Sequence, residues 1–392
     1  MKFIWGIYNS KMALQSKRIL ILLAVFGVLF LGCQKEKSIN PLEKALASNS
    51  PLIKRVMDSL DQYEVQIRYT QINRKNDSIQ FTDFDFQVDK NNYFYPASTV
   101  KFPVAVAALE KLNEIDSLSR DTRFYIEGDS VETTFAKAVS EIFAVSDNAA
   151  NNRLLEFLGQ DTLNQRLKVR GVAPMQINHR LSTANADDLT TKPLIIYIND
   201  STTVSSTPLV SSYPKPLAIN KIKKGKGYYA DEMLEEGPFD FSFKNYYPIE
   251  AQHGLLKRIV FPTAFSSEQR FNLSNSQHEF LLDAMFTLPK ELGYDKEVYY
   301  DSYVKFLMFG DSSEPMPEYI KIYNKVGYAY GTLTDCAYIH DEKNDVDFMV
   351  TATILVNKDG IFNDNVYEYD EIGIPFLAQL GRELYKYELN RK

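Results

Sequence analysis

Ser98 and Lys101 stand three apart at the mouth of the apolar stretch YPASTVKFPVAVAALEKL, residues 95–112. On a helical turn, residues i and i+3 share a face, so a hydroxyl and an amine at this spacing can meet. A serine hydroxyl is a weak nucleophile until a neighbour takes its proton. A lysine in apolar surroundings shifts toward its neutral form and can be that neighbour. Pro103 sharpens the geometry, because a proline deep in a helix clashes with the turn before it. The regular helix is therefore expected from near Phe102. Residues 98–101 are left in a tight turn whose N–H groups could hold an oxyanion. The plainer alternative is a capped core helix with a lysine in its first turn.

Two further stretches could complete such a site. Ser146-Asp147-Asn148 occurs once in the chain and separates two helical patterns. It could serve only as an N-cap cluster, or it could supply a second hydroxyl and an amide. Lys325-Val326-Gly327 lies in a strand-like run, where the lysine could hold an anion and the glycine could let a ligand backbone approach. Singly these patterns mean little. Ser212 with Lys215 and Ser302 with Lys305 repeat S-x-x-K, and K-x-G recurs at 223–225 and 358–360.

Taken together and in this order, the three stretches resemble the class A β-lactamase and penicillin-binding serine hydrolase superfamily, whose signature is S-x-x-K, S-D-N and K-T-G. The resemblance covers most of residues 50–390. It implies Ser98 as the acylated nucleophile, Lys101 as its base and Ser146 as the proton relay to the leaving nitrogen. Asn148 would hold the substrate amide carbonyl. Lys325 would pair with the substrate carboxylate and orient Ser146, on a strand that Gly327 keeps open. The backbone N–H groups of Ser98 and Tyr328 would form the oxyanion hole. No metal or cofactor is expected, and the four histidines have no ligand spacing. The implied activity is serine hydrolysis of a β-lactam or related acyl amide. A D-alanyl-D-alanine peptidase or transpeptidase, or a non-catalytic surface binding lipoprotein on the same scaffold, are the alternatives. The pattern departs in two places. The segment HRLSTANADDL (179–189) has Ser182 where a loop glutamate would activate the deacylating water, with Asp187 and Asp188 the nearest acids, and Val326 replaces the usual hydroxyl residue.

The elements that must position these residues are legible in outline. SPLIKRVMDSLDQY (50–63) reads as a helix capped by Ser50 with Pro51 at N1. Residues 64–72 and 77–88 alternate as a hairpin, and 132–159 hold two helices broken at Ser146. A helix over 274–289, strands over 319–331, 332–341 and 345–357, and a terminal amphipathic helix follow. The expected fold is α+β: an antiparallel sheet flanked by terminal helices, plus an all-helical subdomain. Residues 190 to about 262 read as an insertion, and no internal repeat is visible.

Before this body, basic residues precede a thirteen-residue apolar run and then Gly32-Cys33, the pattern of a secretory signal. LFLGC resembles a lipoprotein lipobox, which implies a signal peptide over 1–32, lipid on Cys33 and a tether over 33–50. Met12 is an alternative start. The domain of interest would then be 51–392, anchored in a bacterial envelope. The residue after Cys33 is not Asp, which suits the outer membrane. Cleavage removes four cations and no acid, taking the net charge from -7 to -11. An acidic body argues against nucleic acid as a partner, and a monomer is expected. Cys336, alone once Cys33 is lipidated, reads as a buried inert thiol.

Overall fold

The computed structural model describes residues 40–76 and 78–391. The expected signal peptide and the lipidated Cys33 lie outside the described residues. Helices α1 (Pro41–Leu46) and α2 (Pro51–Met57) open the chain, and strands β1 (Gln66–Lys75) and β2 (Ser78–Phe86) follow as an antiparallel hairpin. Then come α3 (Lys101–Leu112), α4 (Phe135–Ala144), α5 (Asn148–Leu158), α6 (Ile249–Val260) and α7 (Asn275–Phe286). Strands β3 (Ile320–Ala329), β4 (Thr332–Asp341) and β5 (Val346–Leu355) and helix α8 (Ile374–Arg391) follow, with a further helix over Gln160–Val169 and shorter elements between them.

The main sheet is antiparallel throughout, in the order β3-β4-β5-β1-β2. Its β3–β4 hairpin turns on Tyr330 and Gly331, both at positive φ, the geometry that matches the twist of the flanking strands. One face buries Ile67, Val350 and Ile354 against α1, α2 and α8; the other meets α6 and the helical subdomain. At the centre of that subdomain, eleven of the twelve residues of α3 are buried. A helix apolar nearly all round has no solvent face to offer, so it becomes a core element. Its one acid, Glu110, is paired by Arg166 and Arg170.

Three sequence expectations need correction. The helix expected over 50–63 is two pieces, α2 and a turn over Leu60–Tyr63, and Ser50 makes no side-chain cap. The expected tether does not extend to residue 50. Leu42, Ala45 and Leu46 are buried against α8, so α1 belongs to the folded body. The region 190–262 is not wholly a decoration. Leu194–Asn199 pairs with Arg123–Ile126, and α6 buries Leu255, Leu256 and Ile259 beneath the sheet. Its remaining strands are peripheral: Gly227–Ala230 pairs with Met233–Glu236 and, in parallel, with Ile361–Phe362. Cys336 is buried as expected; it accepts a hydrogen bond from Thr351, and burial pushes its thiol up to about 12.

Candidate active site

Residues Ala97–Val100 form a 3-10 turn and the α-helix begins at Lys101, so Pro103 falls in the first turn, where its missing N–H costs no hydrogen bond. Ser98 is half-buried on this turn, and among the described residues its hydroxyl has no hydrogen-bond partner. The Lys101 side chain does not bond Ser98. Its amine runs past into the gap between α4 and α5, where it donates to the Ser146 carbonyl and lies 3.3 Å from Ser146 Oγ. Burial lowers its pKa to about 7, opposed only in part by the charge of Asp147.

The S-D-N stretch divides its labour. Asp147 is the N-cap of α5, accepting from the Ala150 N–H at 2.6 Å. Ser146, at φ +57°, turns its hydroxyl inward, where Lys325 Nζ donates to it at 2.8 Å. Asn148 reaches the opposite wall and donates to Ser182 Oγ at 3.1 Å. Two buried amines therefore converge on one hydroxyl. Burial holds Lys325 well below the ordinary lysine range, and the charges of Lys101 and Lys305 push the same way. Ser146 can hand a proton to either amine or receive one from it.

Gly327 has a role that its motif did not reveal. A Cβ there would lie 2.7 Å from the Pro96 carbonyl oxygen and 2.8 Å from the Ser98 amide nitrogen. The close approach is to the chain's own turn rather than to a ligand. Strand β3 is thereby pressed edge-on against the Ser98 turn, bringing Tyr328 beside it. Gly327→Ala is expected to destabilise the fold by about 1–3 kcal/mol through overpacking, measured by denaturant unfolding. Val326 is buried in the apolar cluster under α8 and offers this site no polar group.

A cavity of about 630 Å³ opens at Ser98, Asn148 and Tyr328. Its far wall is the loop from His179 to Ala186, and its remaining walls come from Tyr95, Lys244, Tyr330 and the 363–369 segment. The loop hangs on Arg180. That guanidinium makes a two-pronged pair with Glu156 (2.6 and 2.9 Å) and donates to the carbonyls of Asp188 and Thr190. His179 is buried and stacks on Tyr95; its Nε2 accepts from the Asn245 N–H, which leaves Nδ1 to donate to the Arg180 carbonyl. The ring is thus neutral, in keeping with its lowered pKa. Neither Asp187 nor Asp188 lines the cavity. Ala97, Ser182, Tyr330, Asn363 and Asn365 all hold positive φ in its lining, a clustering of strained backbone typical of functional sites.

Sequence reasoning missed several of these residues. Lys244 carries no local pattern; Arg180 and Asn185 match the flanks of the loop pattern in HRLSTANADDL, but that match does not reveal the buried pair with Glu156. Tyr330 has one, its two-residue spacing from Tyr328 at the end of the K-x-G strand. The decoy Lys305 is fully buried on a different set of partners, donating to the carbonyls of Met285 and Ile322 and to Asn324 Oδ1. Asn324 in turn donates to Asp335, whose carboxyl burial raises to about 6.

With this geometry in hand, comparison with known proteins is informative. Residues 51–207, which contain Ser98 and Ser146, match a family model described as Beta-lactamase enzyme family. A class A β-lactamase from Bacteroides cellulosilyticus superposes with a TM-score of 0.51 at 13% identity, covering 90% of this chain and 98% of its own. A β-lactamase from Sphaerobacter thermophilus gives 0.50 at 13% identity, covering 89% and 96%. The fold is that of the class A β-lactamases. PBP-A, in an L158E mutant solved as an acyl-enzyme complex with penicillin G, shares this class A fold with a TM-score of 0.50 at 14% identity, covering 89% and 96%. No curated protein matches significantly. Within the class A fold, the expected α+β architecture with its helical subdomain is the one observed.

Proposed function

We propose that this chain is a serine hydrolase that forms an acyl-enzyme at Ser98 on a β-lactam or a related acyl amide. The observation that carries this is the convergence of Lys101 and Lys325 on the Ser146 hydroxyl, beside a serine whose own hydroxyl is unengaged. Neutral Lys101 takes the Ser98 proton as Oγ attacks the carbonyl carbon. The Ser98 and Tyr328 N–H groups hold the oxyanion. As the carbon–nitrogen bond breaks, the nitrogen takes the Ser146 proton, which the lysines replace. Water then cleaves the ester and frees Ser98. Asn148 holds the amide side of the substrate, and Lys325 attracts its carboxylate. Lipid on Cys33 would anchor the enzyme in the bacterial envelope, with the outer membrane the site.

A second reading, a peptidase or transpeptidase on D-alanyl-D-alanine stems, is favoured by Ser182, which faces Asn148 where the resemblance implies a glutamate. Without a carboxylate on that wall, water attack on the ester is slow. Intact-mass spectrometry after mixing with benzylpenicillin is expected to show one adduct per chain that persists for many minutes. Ser182→Glu is expected to shorten its lifetime at least about tenfold, since a placed general base is worth about 10²–10⁴-fold and the left-handed backbone at residue 182 takes back part of that. Release of D-alanine from a stem peptide would select the second reading. An absence of adducts with every β-lactam and ester tried would favour the non-catalytic binding lipoprotein.

A further inference from the structure

The cavity beyond Ser98 is distinguished by what its walls lack. Among the described residues, none of the side chains lining it is a carboxylate, although the whole chain carries a net charge of -7. It is lined by tyrosines, Tyr95, Tyr328, Tyr330, Tyr367 and Tyr369. Their rings pack on one another: Tyr95 meets Tyr330 at 5.0 Å, and Tyr369 meets both Tyr328 (5.4 Å) and Tyr367 (5.3 Å). Among them stands Lys244, half-buried, which forms no ion pair among the described residues. Its charge reaches His179 on the same wall. Two acids outside the lining are felt there, Asp187 at Tyr330 and His179 and Asp364 at Tyr367 and Tyr369.

Two lysines therefore flank the reacting carbon. Lys325 lies on the Ser146 side, where the leaving portion of the substrate sits. Lys244 lies on the other, where an acyl substituent runs along residues 328–330. A lysine with no ion pair among the described residues, in a cavity lined by aromatic rings, fits a substituent that is flat and negatively charged, since the rings take its apolar face and the amine its charge. We infer that Lys244 is a specificity-determining residue that selects acyl donors whose side chain carries both an aromatic ring and a carboxylate. The inference rests on the acyl-transfer reading at Ser98.

Benzylpenicillin and carbenicillin form a matched pair for the test, because they differ by one carboxylate on the side-chain carbon next to the phenyl ring. Second-order acylation rates are measured for both by competition with a fluorescent penicillin. Carbenicillin is expected to react about fivefold faster, the size of a half-exposed ion pair. Lys244→Met is expected to bring the ratio to about one, Lys244→Glu to reverse it, and Lys244→Arg to retain it. Equal rates in the unaltered protein, or a preference that survives Lys244→Met, would overturn the inference while leaving acyl transfer intact. Failure of both compounds to acylate would overturn the acyl-transfer reading and this subsite with it.

Discussion

Ser98→Ala is expected to abolish covalent labelling by a fluorescent penicillin and to lower any β-lactam turnover by about 10⁴-fold or more. The size follows from the division of labour in the site. The hydroxyl of Ser98 is the atom that bonds to the acyl carbon, so no neighbour can substitute for it. Ser146 is held by two amines and is turned into the gap between α4 and α5. The substitution should also be silent structurally. Ser98 is half-buried and its hydroxyl bonds none of the described residues, so removing it leaves no polar group unpaired. An unchanged thermal midpoint beside lost labelling would assign the loss to chemistry. Undiminished labelling of the alanine variant would place the nucleophile elsewhere and remove the proposal.

Lys101→Met is expected to slow acylation about 10³-fold, the middle of the range for a positioned general base, and to change the shape of its pH dependence. Burial holds the Lys101 amine at about 7. Only the neutral form can accept the Ser98 proton, and its fraction rises with pH. Acylation of the unaltered protein should therefore fall about tenfold per unit below pH 7, be half-maximal near 7 and level off above it. The methionine variant keeps the volume of the side chain and loses the base, so its residual rate should lack that inflection. Acylation rates followed by mass spectrometry from pH 5 to 9 check both. An inflection near 7 that persists in the variant would assign the titration to another group, of which Lys325 is the nearest buried one.

What the sequence disclosed was what depends on short spans. Ser98, Lys101 and Pro103 fix the 3-10 turn and the helix start among themselves, and the apolar runs of β3, β4 and β5 separated by tight turns are strong enough to read directly. Contacts between distant segments stayed hidden. Helix α6 was missed because buried His253 and Lys257 interrupt its apolar stripe. Only the sheet shows why they are tolerated: His253 bonds Thr70 and Thr351, and Lys257 pairs with Asp83. Helix α1 was read as a tether because its partner α8 is more than three hundred residues away. The decoys show the same limit. Ser302 and Lys305 have the spacing of Ser98 and Lys101, but Lys305 is buried on Asn324. Ser212 binds Asp161 on an exposed loop. Spacing states which side chains share a turn, and only the fold states what the turn faces.

The two buried amines also bear on the stability of the folded chain. Burial depresses both pKa values, so the unfolded chain holds protons that the folded chain refuses. The resulting penalty is absent above the ordinary lysine range, grows as pH falls and for Lys101 is complete near 7. Methionine at either position would relieve it. The pocket around the Ser146 hydroxyl thus carries a stability cost at neutral pH that lies in the same two amines that bond that hydroxyl.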